Sequence, residues 1–208
     1  MRLVWCLLRP EDELHNLRGT LLPPTAHAAS AKQLTLAAAG DDVRIAQYHG
    51  GVIAPDVRLG RNVVIPHPEL VNLYGCTIGD SCKIASFVEI QRGVVLGNNV
   101  KVEAFAFIPT GVRIEDGAFI GPHVCFTNDR YPRAASEAGE LLAADDWEVV
   151  PTLVKRGASI GANATIMCGV TIGENSLVGA GSTVTRDVAP NMLAVGSPAR
   201  PVGPRPQA

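Results

Sequence analysis

The sequence has few aromatic residues, few charges and no long apolar run. Of its 208 residues, 5% are aromatic and 18% are Asp, Glu, Lys or Arg, and this charged share is below the roughly 25% usual in globular chains. The formal net charge of −2 gives no electrostatic reason to expect a nucleic acid or a membrane surface as partner. No stretch of about 18 apolar residues occurs, so no membrane-spanning helix is predicted. These absences leave a small molecule as the expected substrate.

The sequence also lacks paired cysteines. No two of them form a CxxC pair, none has zinc-finger spacing, and their number is odd. Free thiols in a reducing compartment are therefore expected. The apolar run at the N-terminus stops at Arg9, which is too early for the hydrophobic part of a signal peptide, since that part needs about 7–15 residues. The chain is predicted to be cytoplasmic, with five unpaired thiols: Cys6, Cys76, Cys82, Cys125 and Cys168.

Bulky apolar residues, by contrast, recur at every sixth position, and we call them anchors. The main run is Ile78, Ile84, Ile90, Leu96, Val102, Ile108, Ile114, Ile120 and Phe126; the second is Ile160, Ile166, Ile172, Val178 and Val184; a weaker lead-in is Leu59, Ile65 and Val71. Two residues before each anchor of the two long runs stands a small or medium side chain, such as Cys76, Ala106 or Ser176. The residue after the anchor is often glycine.

This period predicts a coil of short parallel strands. Side chains two apart on a strand point to the same face, so each hexad aims two side chains inward. Glycine after the anchor is expected to adopt the backbone angles of a tight corner. A helix is excluded because its 3.6-residue period would spread the anchors around the cylinder, and a β-sandwich has longer, less regular strand spacing. We therefore predict an all-β, parallel β-helix of three hexads per coil.

The repeat divides the chain. Residues 51–190 form the predicted β-helix domain, and within it residues 127–157 leave the pattern in a long excursion, which favours a binding loop over a decorative surface loop. Residues 1–50 form an atypical leader. Residues 191–208 form a proline-rich tail that is expected to be extended and frayed.

Four segments narrow the interpretation. They read VNLYGCTIGD at 71–80, FTNDRYPR at 126–133, KRGASIG at 155–161 and GSPAR at 196–200. In this order they closely resemble bacterial hexapeptide-repeat acetyltransferases that N-acetylate nucleotide-linked amino sugars in lipopolysaccharide or surface-polysaccharide precursor pathways. The resemblance covers roughly residues 52–203.

The resemblance implies a left-handed β-helix, a homotrimer with active sites in the clefts between copies, and no metal. It implies acetyl-CoA as donor, lying along the later coils, and a UDP- or dTDP-linked amino sugar as acceptor. Small side chains would let the pantetheine arm approach the backbone, and cations would meet the phosphates. The candidate contacts to acetyl-CoA are Lys155, Gly169, Ala180, Gly181, Arg186, Pro198 and Arg200.

The excursion carries the candidate acceptor site. By resemblance, the side-chain carbonyl of Asn128 holds the substrate amine, and Asp129 accepts a proton or orients the amine; the alternative for both is a turn residue bonded to its own backbone. Tyr131 and Arg133 are expected to contact the nucleotide diphosphate or a sugar hydroxyl. A solvated surface arginine is the alternative for Arg133.

The general base is less well defined. Relatives often have one histidine where this chain has Phe105 and another where it has Pro122, and His123 follows Pro122 directly. Because histidine titrates near working pH, His123 is the candidate base. Its alternative is an inert surface histidine, since an amine acceptor needs no dedicated base.

The leading hypothesis is an acetyl-CoA-dependent N-acetyltransferase. An O-acetyltransferase would require a true base, and a non-catalytic β-helix scaffold would be consistent with Phe105 and the leader. A zinc enzyme of the β-helical carbonic anhydrase kind needs three histidines, but His123 alone lies in the regular coils.

Overall fold

The computed structural model describes residues 52–143 and 146–206, and most of them form a coil of short strands. The predicted leader lies outside them. No helix in these two ranges has the length and apolarity to cross a membrane. The elements in chain order are β1 (Val52–Ile53), β2 (Arg58–Leu59), a 3₁₀ helix (Pro68–Leu70), β3 (Asn72–Leu73), β4 (Thr77–Ile78), β5 (Lys83–Ile84), β6 (Glu89–Ile90), β7 (Val95–Leu96), β8 (Lys101–Val102), β9 (Phe107–Ile108), β10 (Val112–Ile114), β11 (Phe119–Ile120), β12 (Cys125–Phe126), β13 (Thr152–Val154), β14 (Ser159–Ile160), β15 (Thr165–Ile166), β16 (Thr171–Ile172), β17 (Leu177–Val178), β18 (Thr183–Val184), β19 (Met192–Gly196) and β20 (Ala199–Pro204).

The strands stack into three sheets, the faces of a prism. Sheet A has the order β1-β3-β6-β9-β12-β15-β18, sheet B has β16-β13-β10-β7-β4-β2, and sheet C has β20-β19-β17-β14-β11-β8-β5. All neighbours are parallel except β19 and β20. Ile78 pairs with Leu96 and Leu96 with Ile114, so one coil takes 18 residues. The chain turns from A to B at the first edge, from B to C at the second and from C to A at the third. The predicted all-β parallel helix is confirmed.

The repeat positions form the core. Every anchor of the two long runs is at most 1% exposed, and every small partner two residues earlier is at most 5% exposed. Each fully buried isoleucine or leucine contributes about 1.5–3 kcal/mol by leaving water, and the register stacks each anchor on the anchor one coil away. The predicted inward positions of these runs are confirmed.

One of the predicted anchors in the lead-in is wrong. Val71 is buried, but Leu73, at 0% exposure, is the anchor of that hexad, and Val71 takes the small position. The 3₁₀ helix Pro68–Leu70 lies between Ile65 and this pair and shifts the six-residue step. The seven-residue step from Val71 to Ile78 indicated a break here but not which residue is the anchor.

The explanation for the glycines after the anchors was also wrong. Gly79 and Gly161 do not adopt left-handed backbone angles; those fall three residues after the anchor, as at Gly117 and Asn163. A Cβ on Gly79 would lie 2.5 Å from the carbonyl oxygen of Gly97, and one on Gly161 would lie 2.5 Å from the nitrogen of Ala180. These glycines are therefore required because neighbouring coils approach closely.

The excursion is shorter than the predicted 127–157. Strand β13 pairs with β10 over three residues, and Val154 is fully buried as an anchor six residues before Ile160. The coil therefore resumes at Thr152, and the excursion comprises residues 127–151. The return was missed because the small inward position of this hexad is the polar Thr152.

The C-terminal tail is not frayed over its described part. Strand β19 adds to sheet C beside β17, and β20 folds back antiparallel on β19. Beyond β20, the Arg205 guanidinium donates to the carbonyl oxygen of Gly157 at 2.9 Å and to Ser159 Oγ at 3.1 Å. Arg205 thus ties the segment after β20 to the second edge of the prism.

Replacing Arg205 by alanine is expected to lower the unfolding free energy by about 1–3 kcal/mol, because charge-assisted hydrogen bonds to carbonyl groups are lost. Urea denaturation followed by circular dichroism measures this. The control is Arg200→Ala in the same hairpin, whose exposed guanidinium donates to the adjacent Ala199 carbonyl oxygen. Equal losses in both variants would contradict the assigned role of Arg205.

Candidate active site

The candidate catalytic residues lie at opposite ends of strand β12. His123 is at the third edge, two residues before Cys125–Phe126, and Asn128 is at the first edge, two residues after it. The width of sheet A therefore separates the two side chains within one chain. A single prism does not bring His123 together with Asn128 and Asp129.

At the first edge, Asn128 is half-buried and held from two sides. Its side-chain Nδ2 donates to the backbone carbonyl oxygen of Thr110 at 3.1 Å, and its backbone carbonyl oxygen accepts from the backbone nitrogen of Val150 at 2.9 Å. None of the described residues donates to its Oδ1. The amide is thus fixed in orientation, with its oxygen available to accept an N–H from a substrate amine.

A column of polar groups lies beside the first edge, on the coils that precede Asn128. The Tyr74 hydroxyl and Gln91 Nε2 both donate to Glu89 Oε1, at 3.0 and 3.1 Å, and Gln91 Oε1 accepts from the nitrogen of Thr110 at 3.3 Å. Burial, reinforced by Glu89, raises the pKa of Tyr74, so its hydroxyl remains a donor. Sequence reasoning missed this column, although counting back one 18-residue coil from Asn128 leads to Thr110.

The other predicted residues of the excursion have fewer contacts. Asp129 Oδ1 accepts from the nitrogen of Tyr131 at 2.8 Å, which is the turn geometry of its alternative interpretation. Tyr131 is 80% exposed, and Arg133 is exposed as well. Contact of these three residues with substrate stays a prediction.

Arg130, which was not predicted as a site residue, lies over the first edge at the coil that follows Asn128. A Cβ on Gly169 would lie 2.6 Å from its Nη2 and 3.0 Å from Val150. Gly169, a candidate for acetyl-CoA binding, therefore lies beneath the excursion of its own chain.

At the third edge, His123 ends a stack of three rings. Its imidazole lies parallel to the Phe105 ring, with centroids 4.6 Å apart and an interplanar angle of 6°. Phe105 stacks on Phe87 at 4.7 Å and 17°. The backbone nitrogen of His123 donates to the carbonyl oxygen of Ala104 at 2.9 Å, and the residue is exposed.

Above His123 the same edge carries only small side chains. Asn163 occupies the corner of the next coil and Gly181 that of the coil after it, linked by backbone hydrogen bonds of 2.9 Å to Pro122 and 2.8 Å to Ala162. A Cβ on Gly181 would meet open space. The strip ends at the turn of the C-terminal hairpin, where Ser197 Oγ donates to Thr183 Oγ1 at 2.9 Å.

The candidate acetyl-CoA contacts are distributed over all three edges. Ala180, Gly181 and Pro198 share the third edge with His123, and Arg200 pairs with Val195 beside them. Lys155 follows β13 at the second edge, and Gly169 and Arg186 are at the first. The seven residues therefore do not line one groove of a single chain. Within residues 52–143 and 146–206, no cluster of three metal-ligating side chains occurs.

Comparison with known proteins agrees with this architecture. Residues 93–128 and 151–186 match the model of the bacterial transferase hexapeptide family (six repeats), which fits a left-handed β-helix. The bifunctional protein GlmU of Heliobacterium modesticaldum is 33% identical over 143 residues, covering 67% of this chain and 30% of that protein. The chain thus spans less than a third of the length of this curated relative.

Two solved structures share the fold. A variant of AntD, an N-acyltransferase from Bacillus cereus in complex with dTDP and coenzyme A, superposes with a TM-score of 0.60 at 22% identity, covering 72% of this chain and 84% of that one. VCA0836, a hexapeptide-repeat acetyltransferase of Vibrio cholerae O1 biovar eltor in complex with acetyl coenzyme A, gives 0.52 at 26% identity, covering 68% and 75%. The predicted resemblance is confirmed: the chain carries the hexapeptide repeats of bacterial transferases and has the fold of acyltransferases built on them.

Proposed function

We propose that the chain is an acetyl-CoA-dependent N-acetyltransferase that acts on the amino group of a UDP- or dTDP-linked sugar. The third edge carries this proposal, because a histidine stands there at the foot of a strip of small residues that leads to the hairpin turn at Pro198. Such a strip suits a narrow pantetheine arm that ends beside the imidazole. The ligands of the two fold neighbours, dTDP with coenzyme A and acetyl coenzyme A, support both substrate classes.

The reaction is attack of a sugar amine on the thioester carbonyl. The C–N bond forms as the C–S bond breaks, one amine proton is removed, and coenzyme A leaves as the thiol after accepting a proton. Alignment of two bound substrates supplies much of the rate. His123 takes the proton from the amine and returns it to the leaving sulfur.

The excursion holds the acceptor in this proposal. Asn128 Oδ1 accepts one N–H of the amine, which directs the nitrogen lone pair at the thioester, and Asp129 helps to orient it. Arg133 pairs with the diphosphate, to which its guanidinium is matched, while Tyr131 contacts a sugar or nucleotide hydroxyl.

The separation of His123 from Asn128 supports a homotrimer. If the first edge of one copy faces the third edge of another, the two side chains meet in one cleft, and three copies close the ring. Ala180, Gly181, Pro198 and Arg200 would then contact acetyl-CoA from one copy. Gly169 and Arg186, at the first edge, would reach it only from a neighbouring copy, whereas Lys155, at the second edge, lies outside this cleft.

The proposed setting is the cytoplasm, in the synthesis of lipopolysaccharide or another surface polysaccharide. The buried free thiols of Cys76 and Cys82 fit a reducing compartment. Burial raises the pKa of Cys76 to about 11, so this thiol is a core side chain rather than a nucleophile.

The test is incubation of the protein with acetyl-CoA and a panel of UDP- and dTDP-linked amino sugars, with free thiol as the readout. Thiol release with one acceptor, absent with the corresponding hydroxy sugar, is expected. Release with the hydroxy sugar would identify an O-acetyltransferase, for which His123 would serve as the base. Failure to bind coenzyme A in calorimetry would identify a scaffold subunit.

A further inference from the structure

Two phenylalanines occupy corner positions where bulky side chains are strained. Phe87 and Phe105 have φ of 61° and 63°, in the left-handed region. Apart from them and His123, every described residue with positive φ is glycine, asparagine or Ser81. This backbone conformation is unfavourable for a bulky residue and persists where the surroundings or a function require it.

Burial within the chain does not offset this strain. In the single chain Phe87 is 51% exposed and Phe105 is 49% exposed, so the packing of its own coils covers only about half of each residue. Each ring instead stacks on a ring of the next coil, because the stack of three rings at this edge runs from Phe87 through Phe105 to His123. The strained backbone therefore places one ring face directly under the imidazole.

We propose that Phe105, supported from below by Phe87, is a positioning residue that fixes the ring plane of His123. The imidazole could otherwise rotate about two side-chain bonds, since its backbone is held by the hydrogen bond to Ala104 while its side chain is exposed. Stacking at 4.6 Å and 6° covers one face of the ring. It leaves the ring perimeter, with both nitrogens, open to the strip of small residues above.

The catalytic consequence rests on the proposed function. If His123 exchanges protons with substrate, only the stacked orientation presents its nitrogen correctly, and loss of the stack lowers the productive fraction. A stacked aromatic pair changes such an equilibrium about two- to tenfold, so kcat is expected to fall by that factor. KM should stay within about twofold, because Phe105 does not contact substrate in this scheme.

The test uses Phe105→Asn, because asparagine occupies the same corner position at Asn99 and Asn163. This change removes the ring and relieves the strain, so Tm is expected to stay equal or rise while kcat falls. In a ¹H–¹³C spectrum, the Cε1–H signal of His123, shifted upfield by the Phe105 ring current, should return towards its free position. Phe105→Tyr restores the ring and should restore both the upfield signal and kcat. Phe119→Ala is the matched control, because Phe119 lies in β11 on sheet C and packs under Lys101.

The outcomes separate the two proposals. An unchanged His123 signal in Phe105→Asn, or a kcat loss that Phe105→Tyr does not restore, would overturn the positioning role. So would a clear fall in Tm without a change in kcat, which would show that the stack serves stability alone. If no acceptor is acetylated by the unaltered protein, the proposed function fails, while the His123 signal and Tm still decide whether Phe105 orders the imidazole.

Discussion

Replacing Asn128 by alanine is expected to lower turnover by more than about tenfold while coenzyme A binding is retained. The side chain is fixed by its hydrogen bond to the Thr110 carbonyl oxygen, and its amide oxygen is the group proposed to hold the amine. Alanine removes that oxygen but leaves the third edge, where acetyl-CoA is proposed to bind, unchanged. Steady-state kinetics with the accepted sugar nucleotide, together with calorimetric titration of coenzyme A, measures both effects.

The control for this variant is Asn98→Ala. Asn98 also uses its side-chain amide to hold a neighbouring coil, since its Oδ1 accepts from the nitrogen of Asp80 at 2.8 Å. It lies at the second edge, away from His123 and Asn128, and its loss is expected to leave turnover within about twofold. Unchanged turnover in Asn128→Ala would remove Asn128 from the mechanism.

The second large effect is on stability. Ile120→Ala is expected to lower the unfolding free energy by about 2–5 kcal/mol, the range for truncating a fully buried isoleucine. Ile120 is 0% exposed and is stacked between Val102 and Ile160 in the register of sheet C. The cavity cannot collapse easily, because each coil is held by the backbone hydrogen bonds of the coils on either side.

Urea denaturation at fixed protein concentration measures this loss, with Leu177→Ala as the control. Leu177 lies on the outer, half-buried face of the same sheet, next to the inward Val178. Its truncation is expected to cost less than about 1.5 kcal/mol, because its side chain is only partly removed from water. Similar losses in both variants would contradict the assignment of inward and outward positions.

The sequence was sufficient to predict the coil because its core is periodic. Every sixth residue from Ile78 to Phe126 and from Ile160 to Val184 is buried, as the pattern requires. The errors occurred where a non-periodic element joins the coil. The 3₁₀ helix before Leu73 and the polar Thr152 each hid one register step, and the hairpin at Arg205 depends on contacts with residues 29–48 positions away.

The site was less predictable than the fold. The motif around Asn128 pointed to the first edge, but its contacts with Thr110 and Val150 depend on how the excursion packs, and loops carry no period from which packing can be derived. His123 was named from its place near positions occupied by histidine in relatives. The stack beneath it was missed, although Phe87, Phe105 and His123 recur at the 18-residue coil spacing.

The identity of the product tests the central claim most directly. With acetyl-CoA labelled with ¹³C at the carbonyl, and the accepted nucleotide-linked amino sugar, the product is expected to carry one acetyl group as an amide on the sugar nitrogen, detected by mass and by the coupling of the labelled carbonyl to the N–H. Formation of this amide only in the presence of the protein is the predicted result. An ester on a sugar oxygen, or no labelled sugar at all, would contradict the account.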